Sequence, residues 1–494
     1  MLLALAEPAA TALFLAVFGV LMASSVLFTR TLDRIGIPVV LVFLVLGMLG
    51  GSEGIGGVAF DDHAFAFRVG TVALALILFD GGLNTSAAAI RRSAGPAGAL
   101  ATIGVAGTAA ALAAIGRLFG LAWSEAILIG AIVSSTDAAA VFAVLRGGSL
   151  RVKEKVRATL EVESCVNDPM AVILTVAIVD VLRTGGQPGW GLLLEVPVQL
   201  LVGAAVGIAV GLATRWILAR SRFSTGGLYP VVTLAAAFVA FGGATLAWGS
   251  GFLAVFAAGA TLGNGPLPFR AGLTRVHDAV AWMCQVSMFL MLGLLVFPSQ
   301  LTPVAGVGLA LGLGLAFVAR PLVVTLCLLP FGYSAREVVY VSWVGIRGAV
   351  PIILATFPVM ASIPGADRIF HIVFFIVVVS ALVPGASIVP LTRRLRLDDP
   401  EPPAPAAALE MNSLRRMNGE IHAYHIEPSV AACGVPLSEV RFPEGAAAIL
   451  VVRGDEVMAA RGYTVPQPGD HIYVFCRAGD EPRIGLLFGR TTSG

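Results

Sequence analysis

The sequence predicts an all-α polytopic membrane protein followed by a small C-terminal α+β domain. Three observations carry that prediction. Of 494 residues, 57% are hydrophobic and only 13% charged, where soluble globular chains carry about 25% charge. Apolar runs recur along the chain as far as residue 391, many near the roughly 20 residues that cross a bilayer core. The basic residues between those runs fall mostly on alternate connections.

Thirteen runs qualify, at about 10–29, 36–52, 67–83, 97–116, 124–145, 158–182, 196–219, 228–247, 250–265, 277–297, 303–329, 337–360 and 368–391. The first basic residue, Arg30, follows the first run. That argues against a cleaved signal peptide and for a first span entering from outside. With the N-terminus outside, the cytoplasmic connections hold 18 basic residues and the outer ones 4. This asymmetry supports both the thirteen-span count and the orientation, and it puts the C-terminal domain in the cytoplasm.

A net charge of +2, with no basic patch interleaved with aromatics, gives no sign of a nucleic-acid partner. The five cysteines form no C-x-x-C pair. They read as small hydrophobic fillers, and neither a disulfide nor a structural zinc is expected. No cofactor is expected.

After Arg396 the composition changes. Residues 1–396 form the membrane domain, the Pro-rich stretch 397–409 reads as a linker, and 410–494 as a soluble regulatory domain. Within it "AAAILVVRG", "EVMAARG" and "DHIYVFC" are short β-like runs, and "QPGD" is a turn signal.

The informative residues are the polar ones inside the apolar runs. An ionisable side chain at the bilayer centre costs about 2.5–3.5 kcal/mol on insertion scales and marks function by default. Asp168, in "ESCVNDPM", lies eleven residues into the sixth run, about 16 Å along a helix and near the middle of a ~30 Å core. "SSTD", ending at Asp137, falls near the middle of the fifth run, and Asp80 of "ILFDGGL" is expected at similar depth in the third. Three carboxylates at one depth predict a shared polar site. Ser, Thr and freed carbonyl oxygens around them suit a partly dehydrated alkali cation. Pro169 lacks an N–H and so frees the carbonyl of Cys165.

Glu163 points to another helix face, and Arg320 of "VARPL" is its natural partner in a structural ion pair. In the twelfth run "WVGIRGAVP" places Gly345, Arg347, Gly348 and Pro351 where a helix would break. The fixed charge of Arg347 is expected to counter the carboxylate cluster. Interruptions in the fifth and twelfth runs occupy corresponding positions of an inverted repeat, six runs on each side of the seventh. Such paired breaks point to a transporter's binding site.

At these residues the chain resembles the cation/proton antiporter-1 family. "FDGGL" resembles the family's "FEGGL", with Asp80 in place of Glu. "TDA" at Thr136 resembles "TDP" without its proline. "ESCVND", "RPL" at Arg320 and "GIRGA" at Gly345 also match. The likeness implies ion and proton binding at Asp168, with oxygens from Ser164 and Thr136 and an assisting acid at Asp80. It implies that Asn167 and Asp137 shape the crossing, and that Glu163 and Arg320 form the structural pair. The soluble domain resembles the C-terminal half of the regulators of potassium conductance. That likeness tilts the substrate toward K⁺ and implies a homodimer and a cytosolic regulatory ligand.

The resulting expectation is a transporter, not an enzyme. It exchanges K⁺, or alternatively Na⁺, for H⁺ at Asp168 in a bacterial inner membrane. Asn167, standing where electrogenic relatives carry a second acid, implies electroneutral exchange. A proton-pumping subunit of a redox complex would need membrane-embedded lysines, yet the lysines Lys153 and Lys155 lie in a connection. An intramembrane aspartyl protease would need G-x-G-D, which does not occur.

Overall fold

A computed structural model describes residues 39–399 and 419–489, apart from 59, 138–139, 142–143, 146–149, 186–190, 222, 224, 455 and 478, together with parts of 12–27. Of the expected first span only residues 12, 15, 16, 18–24 and 27 are described, all helical; its other residues and most of the Pro-rich linker fall outside the described residues. Two compact units result. One comprises 1–217, 230–265 and 276–398, and the other 218–229, 266–275 and 399–494.

The first unit is helical. In chain order its helices, several of whose ends reach into the second unit's segments, are α1 (Val39–Gly50), α2 (His63–Asn84), α3 (Ala87–Leu118), α4 (Trp123–Ile132), α5 (Glu154–Thr184), α6 (Gly191–Arg220), α7 (Leu228–Leu246), α8 (Gly251–Gly263), α9 (Arg270–Leu294), α10 (Pro298–Phe331), α11 (Ala335–Trp343), α12 (Ala349–Met360) and α13 (Ala366–Leu395). Among the described residues, eight helices are long and apolar enough to cross a membrane: α2, α3, α5, α6, α7, α9, α10 and α13. The remaining apolar helices are shorter.

Local sequence sets the ends of these helices. The Asp62 side chain accepts from Phe65 N–H at 2.8 Å to open α2, and Ser86 does the same for α3 through Ala89 N–H. Ser334 and Glu337 form a reciprocal capping box at the start of α11. At the other end, α5 stops on Gly185 in the left-handed region. Single turns of π-helix interrupt α3 at Leu100–Gly104, α10 at Leu315–Ala319 and α13 at Ala381–Gly385. The second of these directly precedes Arg320.

Two ion pairs register the helix starts. Glu125, at the start of α4, meets Arg368, near the start of α13, at 3.2 Å. Lys155, at the start of α5, meets Glu337, at the start of α11, at 3.6 Å. Within each pair the two helices therefore begin on the same side of the bundle.

In lipid, helices associate through close packing more than through hydrophobic burial, so small residues line their contacts. Gly82 on α2 lies against the Phe256 carbonyl of α8. In return Gly259 and Gly263 on α8 lie against the Phe79 and Leu83 carbonyls of α2. A β-carbon at any of these three would collide with backbone, which cannot move aside.

In the second unit, β1 (Glu420–His425), β2 (Ala447–Arg453), β3 (Glu456–Ala459) and β4 (His471–Cys476) form an antiparallel sheet of order β1-β4-β2-β3. The helix α14 (Glu481–Phe488) covers one face with Ile484 and Phe488, packed near Tyr424, Val474 and Cys476. The expected strands coincide with β2, β3 and β4, while β1 was not foreseen and the helix of the expected α+β domain, α14, had been given no position. "QPGD" is indeed a turn. Asp470 accepts from Gln467 N–H at 2.8 Å and grips Arg453 with both oxygens, at 2.8 and 2.7 Å. Asp470 is almost wholly buried, so this bidentate pair fixes the turn to the strand beside it.

The α2–α8 contact yields a paired prediction. Gly259→Ala should lower the melting temperature of the detergent-solubilised protein, because overpacking a close contact costs about 1–3 kcal/mol. Gly242→Ala on α7, where a β-carbon meets open space, should leave it unchanged or raised. Thermal unfolding followed by size exclusion reads both, and equal behaviour would show that this contact is slack.

Candidate cation and proton site

The two interrupted segments meet. After α4 the chain leaves the helix at Val133 and runs without regular structure through Asp137, and helical turns resume by Ala140. After α11 it leaves at Val344 and runs without regular structure through Gly348 until α12 begins. The Asp137 N–H donates to the Ile346 carbonyl at 2.8 Å. Each break thus supplies a backbone partner to the other, as non-helical backbone inside a membrane protein requires.

Glycine makes the crossing possible. A β-carbon on Gly348 would collide with the Asp137 carboxylate, and one on Gly345 would come within 2.8 Å of Arg320 Nε. Asp137 accepts from Ala140 N–H at 3.0 Å through Oδ1, a negative cap on the helical turns that follow. The Arg347 backbone N–H donates to Ser380 Oγ at 3.0 Å, which ties the second break to α13.

Above this crossing α5 is unbroken, with Pro169 inside it. Asp168 lies midway along that 31-residue helix and is 5% exposed. It lies near the Ser135 hydroxyl and the Asp137 carboxylate of the first break. Ser164 Oγ donates to the Thr136 carbonyl at 3.0 Å, and Asn167 Nδ2 donates to Thr136 Oγ1 at 2.6 Å. The expected residues Asp168, Ser164, Asn167, Thr136 and Asp137 therefore do converge. Gly345, Arg347 and Gly348 lie in the segment that meets them.

Glu163 and Arg320 pair as the sequence implied. Arg320 Nη2 is 2.6 Å from Glu163 Oε1, with both side chains almost wholly buried. The contact is close but not aligned as a hydrogen bond, so charge holds it. Arg347 departs from expectation. It is fully buried, its Nη1 donates to its neighbour's carbonyl at Gly345 at 3.0 Å, and the charges acting on it are Arg320 and Glu163. It belongs with the ion pair, not with the carboxylates.

Asp80 departs in depth. It sits in the last turn of α2, four residues before the helix ends at Asn84, about 6 Å from that end and not at the middle. The apolar run simply stops at Leu83. Its carboxylate accepts from Asn84 Nδ2 at 3.1 Å.

Two contributors were not singled out by the sequence reading. Ser135 was read only as one hydroxyl of the "SSTD" motif and not named as a site residue, and Ser380 was overlooked. A lone serine in "IVVVSALVPG" was the available signal. Among the described residues no three His, Cys, Asp or Glu side chains gather as a metal cluster. The oxygens around Asp168 are hydroxyl, amide and carbonyl groups with the Asp137 carboxylate nearby, a donor set for a weakly held monovalent ion.

A buried carboxylate at mid-helix, facing two crossed chain breaks, defines an ion-coupled secondary transporter of the antiporter type. The chain belongs to the sodium/hydrogen exchanger family, whose transmembrane description matches residues 20–394. It is 38% identical over 479 residues to the K(+)/H(+) antiporter NhaP of Alkalimonas amylolytica, covering 97% of this chain and 83% of that one. It is 39% identical over 481 residues to K(+)/H(+) antiporter NhaP2 of Shewanella oneidensis, covering 96% and 82%. Its fold matches the sodium proton antiporter MjNhaP1 of Methanocaldococcus jannaschii with a TM-score of 0.66 at 23% identity, over 77% of this chain and 98% of that one.

The ion pair predicts an order of stabilities. Arg320→Ala should destabilise more than Glu163→Gln. The first leaves a buried carboxylate unpaired, and breaking a buried pair by removing one partner costs about 3–5 kcal/mol. The second leaves an amide oxygen that Arg320 can still bond. Melting temperatures in the reverse order would count against the pair as the lock.

Proposed function

We propose that this chain exchanges K⁺ for H⁺ across a bacterial inner membrane, one for one, with both ions competing for Asp168. The observation that carries the proposal is the placement of Asp168, buried midway along α5 beside the crossing of two interrupted segments. Ser164 and Thr136 supply further oxygens. Asp80, in the last turn of α2, is the acid an ion meets on its way to or from that end. A carboxylate that must release its proton to take a cation couples the two fluxes without further machinery. Asn167 is neutral, so one proton leaves for one cation bound. Transport, not enzymatic turnover, is the activity.

Support for K⁺ comes from the NhaP and NhaP2 relatives, named as K(+)/H(+) antiporters. A Na⁺ reading has its own support in the family's description and in the sodium proton antiporter whose fold this chain shares. The rest of the proposed arrangement follows the sequence. There are thirteen spans with the N-terminus outside, and the membrane domain runs to residue 396. After the linker at 397–409, residues 410–494 form a cytoplasmic domain like the C-terminal half of potassium-conductance regulators. Two copies associate, and a cytosolic ligand on that domain biases transport.

Asp168→Asn keeps the shape and removes the titrating charge, so it should abolish exchange in a folded protein. Vesicles carrying an imposed pH gradient, challenged with KCl and then NaCl, read both function and selectivity. Near-wild-type gradient collapse by the variant would remove Asp168 from its role. A larger response to NaCl in the wild type would favour the Na⁺ reading.

Truncation after Arg396 should leave an exchange-competent membrane domain with a shifted pH or ligand dependence, because a ligand acts only through differential affinity for two states. Activity-against-pH curves of full-length and truncated protein, reconstituted at equal density, test this. Superimposable curves would leave the regulatory role without support.

A further inference from the structure

Three cations converge on one cavity away from the transport residues. The cavity measures about 380 Å³, within the range of about 300–1,000 Å³ for small-molecule sites. Lys153 comes from the connection before α5, Arg336 from the first turn of α11, and Arg396 from the end of α13. The backbone brings these separate segments together. Lys153 N–H donates to the Leu397 carbonyl at 3.0 Å, and Arg396 is held in the left-handed region at φ 56°. All three side chains are exposed.

None of the three makes an ion pair among the described residues. The carboxylate that lines the cavity, Glu337, is already engaged. It accepts from Ser334 N–H at 2.7 Å and Ser334 Oγ at 3.0 Å, and it pairs with Lys155. Asp398, next along the chain, does not line the cavity. Leu395 and Leu397 supply an apolar wall. Topology alone explains basic residues on this side of the membrane. It does not explain why three from distant segments, left unpaired, share one concave space. Like charges so placed repel, and a multivalent oxyanion that accepts from all three reverses the sign of the interaction.

We propose that this cavity binds a phosphate-bearing anion, held by Lys153, Arg336 and Arg396. The occupant bridges the base of α5, the helix that carries Asp168, to α11 and to the end of α13. A phospholipid headgroup and a free phosphate share the required chemistry.

The test uses the full-length protein, delipidated in detergent. Its melting temperature is titrated with inorganic phosphate against chloride at matched ionic strength, and separately with phosphatidylglycerol against phosphatidylcholine in mixed micelles. The cavity variant is Arg336→Gln with Arg396→Gln. A control, Arg91→Gln with Arg92→Gln, removes the same charge from α3. Stabilisation of the wild type is expected from at least one probe. The cavity variant should need about tenfold or more of that probe, given the strength of charged hydrogen bonds, while the control stays within about twofold of wild type. A response to phosphatidylglycerol alone identifies a headgroup as the source, and a response to phosphate identifies a free anion. Equal weakening of both variants, or no stabilisation by either probe, would overturn the site.

Discussion

One backbone hydrogen bond organises the transport domain: Asp137 N–H to the Ile346 carbonyl, at 2.8 Å. A helix that stops inside a membrane domain exposes orphan N–H and C=O groups, each costing several kcal/mol in hydrocarbon. Two helices that stop at the same place can satisfy one another. The sequence must then be small where the chains cross. Gly345 and Gly348 leave the room that Arg320, Thr136 and Asp137 fill. Because the breaks need each other, neither could have been read as a transport feature from one half of the chain alone.

The crossing also decides where charge can be tolerated. Asp137 caps the turns that follow the first break, and Arg347 answers the carbonyl at Gly345 in the second. Each charge thus opposes the partial charge of the nearest chain end. What remains is an Arg–Glu–Arg group of Arg320, Glu163 and Arg347, and a carboxylate pair of Asp137 and Asp168 on the other side of α5. The surplus positive charge sits next to the lock and the surplus negative charge next to the hydroxyls. Segregation of this kind keeps like charges from meeting at the crossing and leaves Asp168 among hydroxyl and amide groups.

Much of this was legible in the sequence, and the failures have physical causes. Apolar run length located the described helices, because hydropathy and span length are tightly coupled in lipid. The motif around Asp168 was legible because buried polar residues are rare there. Depth along α2 was misjudged, since Asp80 stands only four residues from the point where apolar character ends. The direction of Arg347 was misjudged for another reason. In an irregular break, backbone dihedrals aim the side chain, and no periodicity records them. The strand β1 went unseen because its polar–apolar alternation, Glu420 to Ala423, lasts only four residues before Tyr424 breaks it. The residue that was missed outright, Ser380, acts through a single hydroxyl contact that leaves no pattern.

A last constraint lies along α5. Lys155, Thr159, Glu163 and Asn167 recur every fourth residue and so climb one slowly turning face. Lys155 Nζ donates to the Gly332 carbonyl at 3.1 Å and lies 3.8 Å from the centroid of the Tyr333 ring. Thr159 Oγ1 meets the Tyr333 hydroxyl at 2.6 Å. Glu163 holds Arg320, and Asn167 holds Thr136. Asp168 is the next residue, about 100° further round the helix. Asp168 is therefore mounted on a helix whose adjacent face is bonded at four levels to α10, to the turn before α11 and to the first break. Any motion that moved Asp168 alone would have to rupture polar contacts inside the membrane domain. Displacing α5 together with α10, α11 and the crossing would rupture none of these, so the contacts on this face couple α5 to those elements.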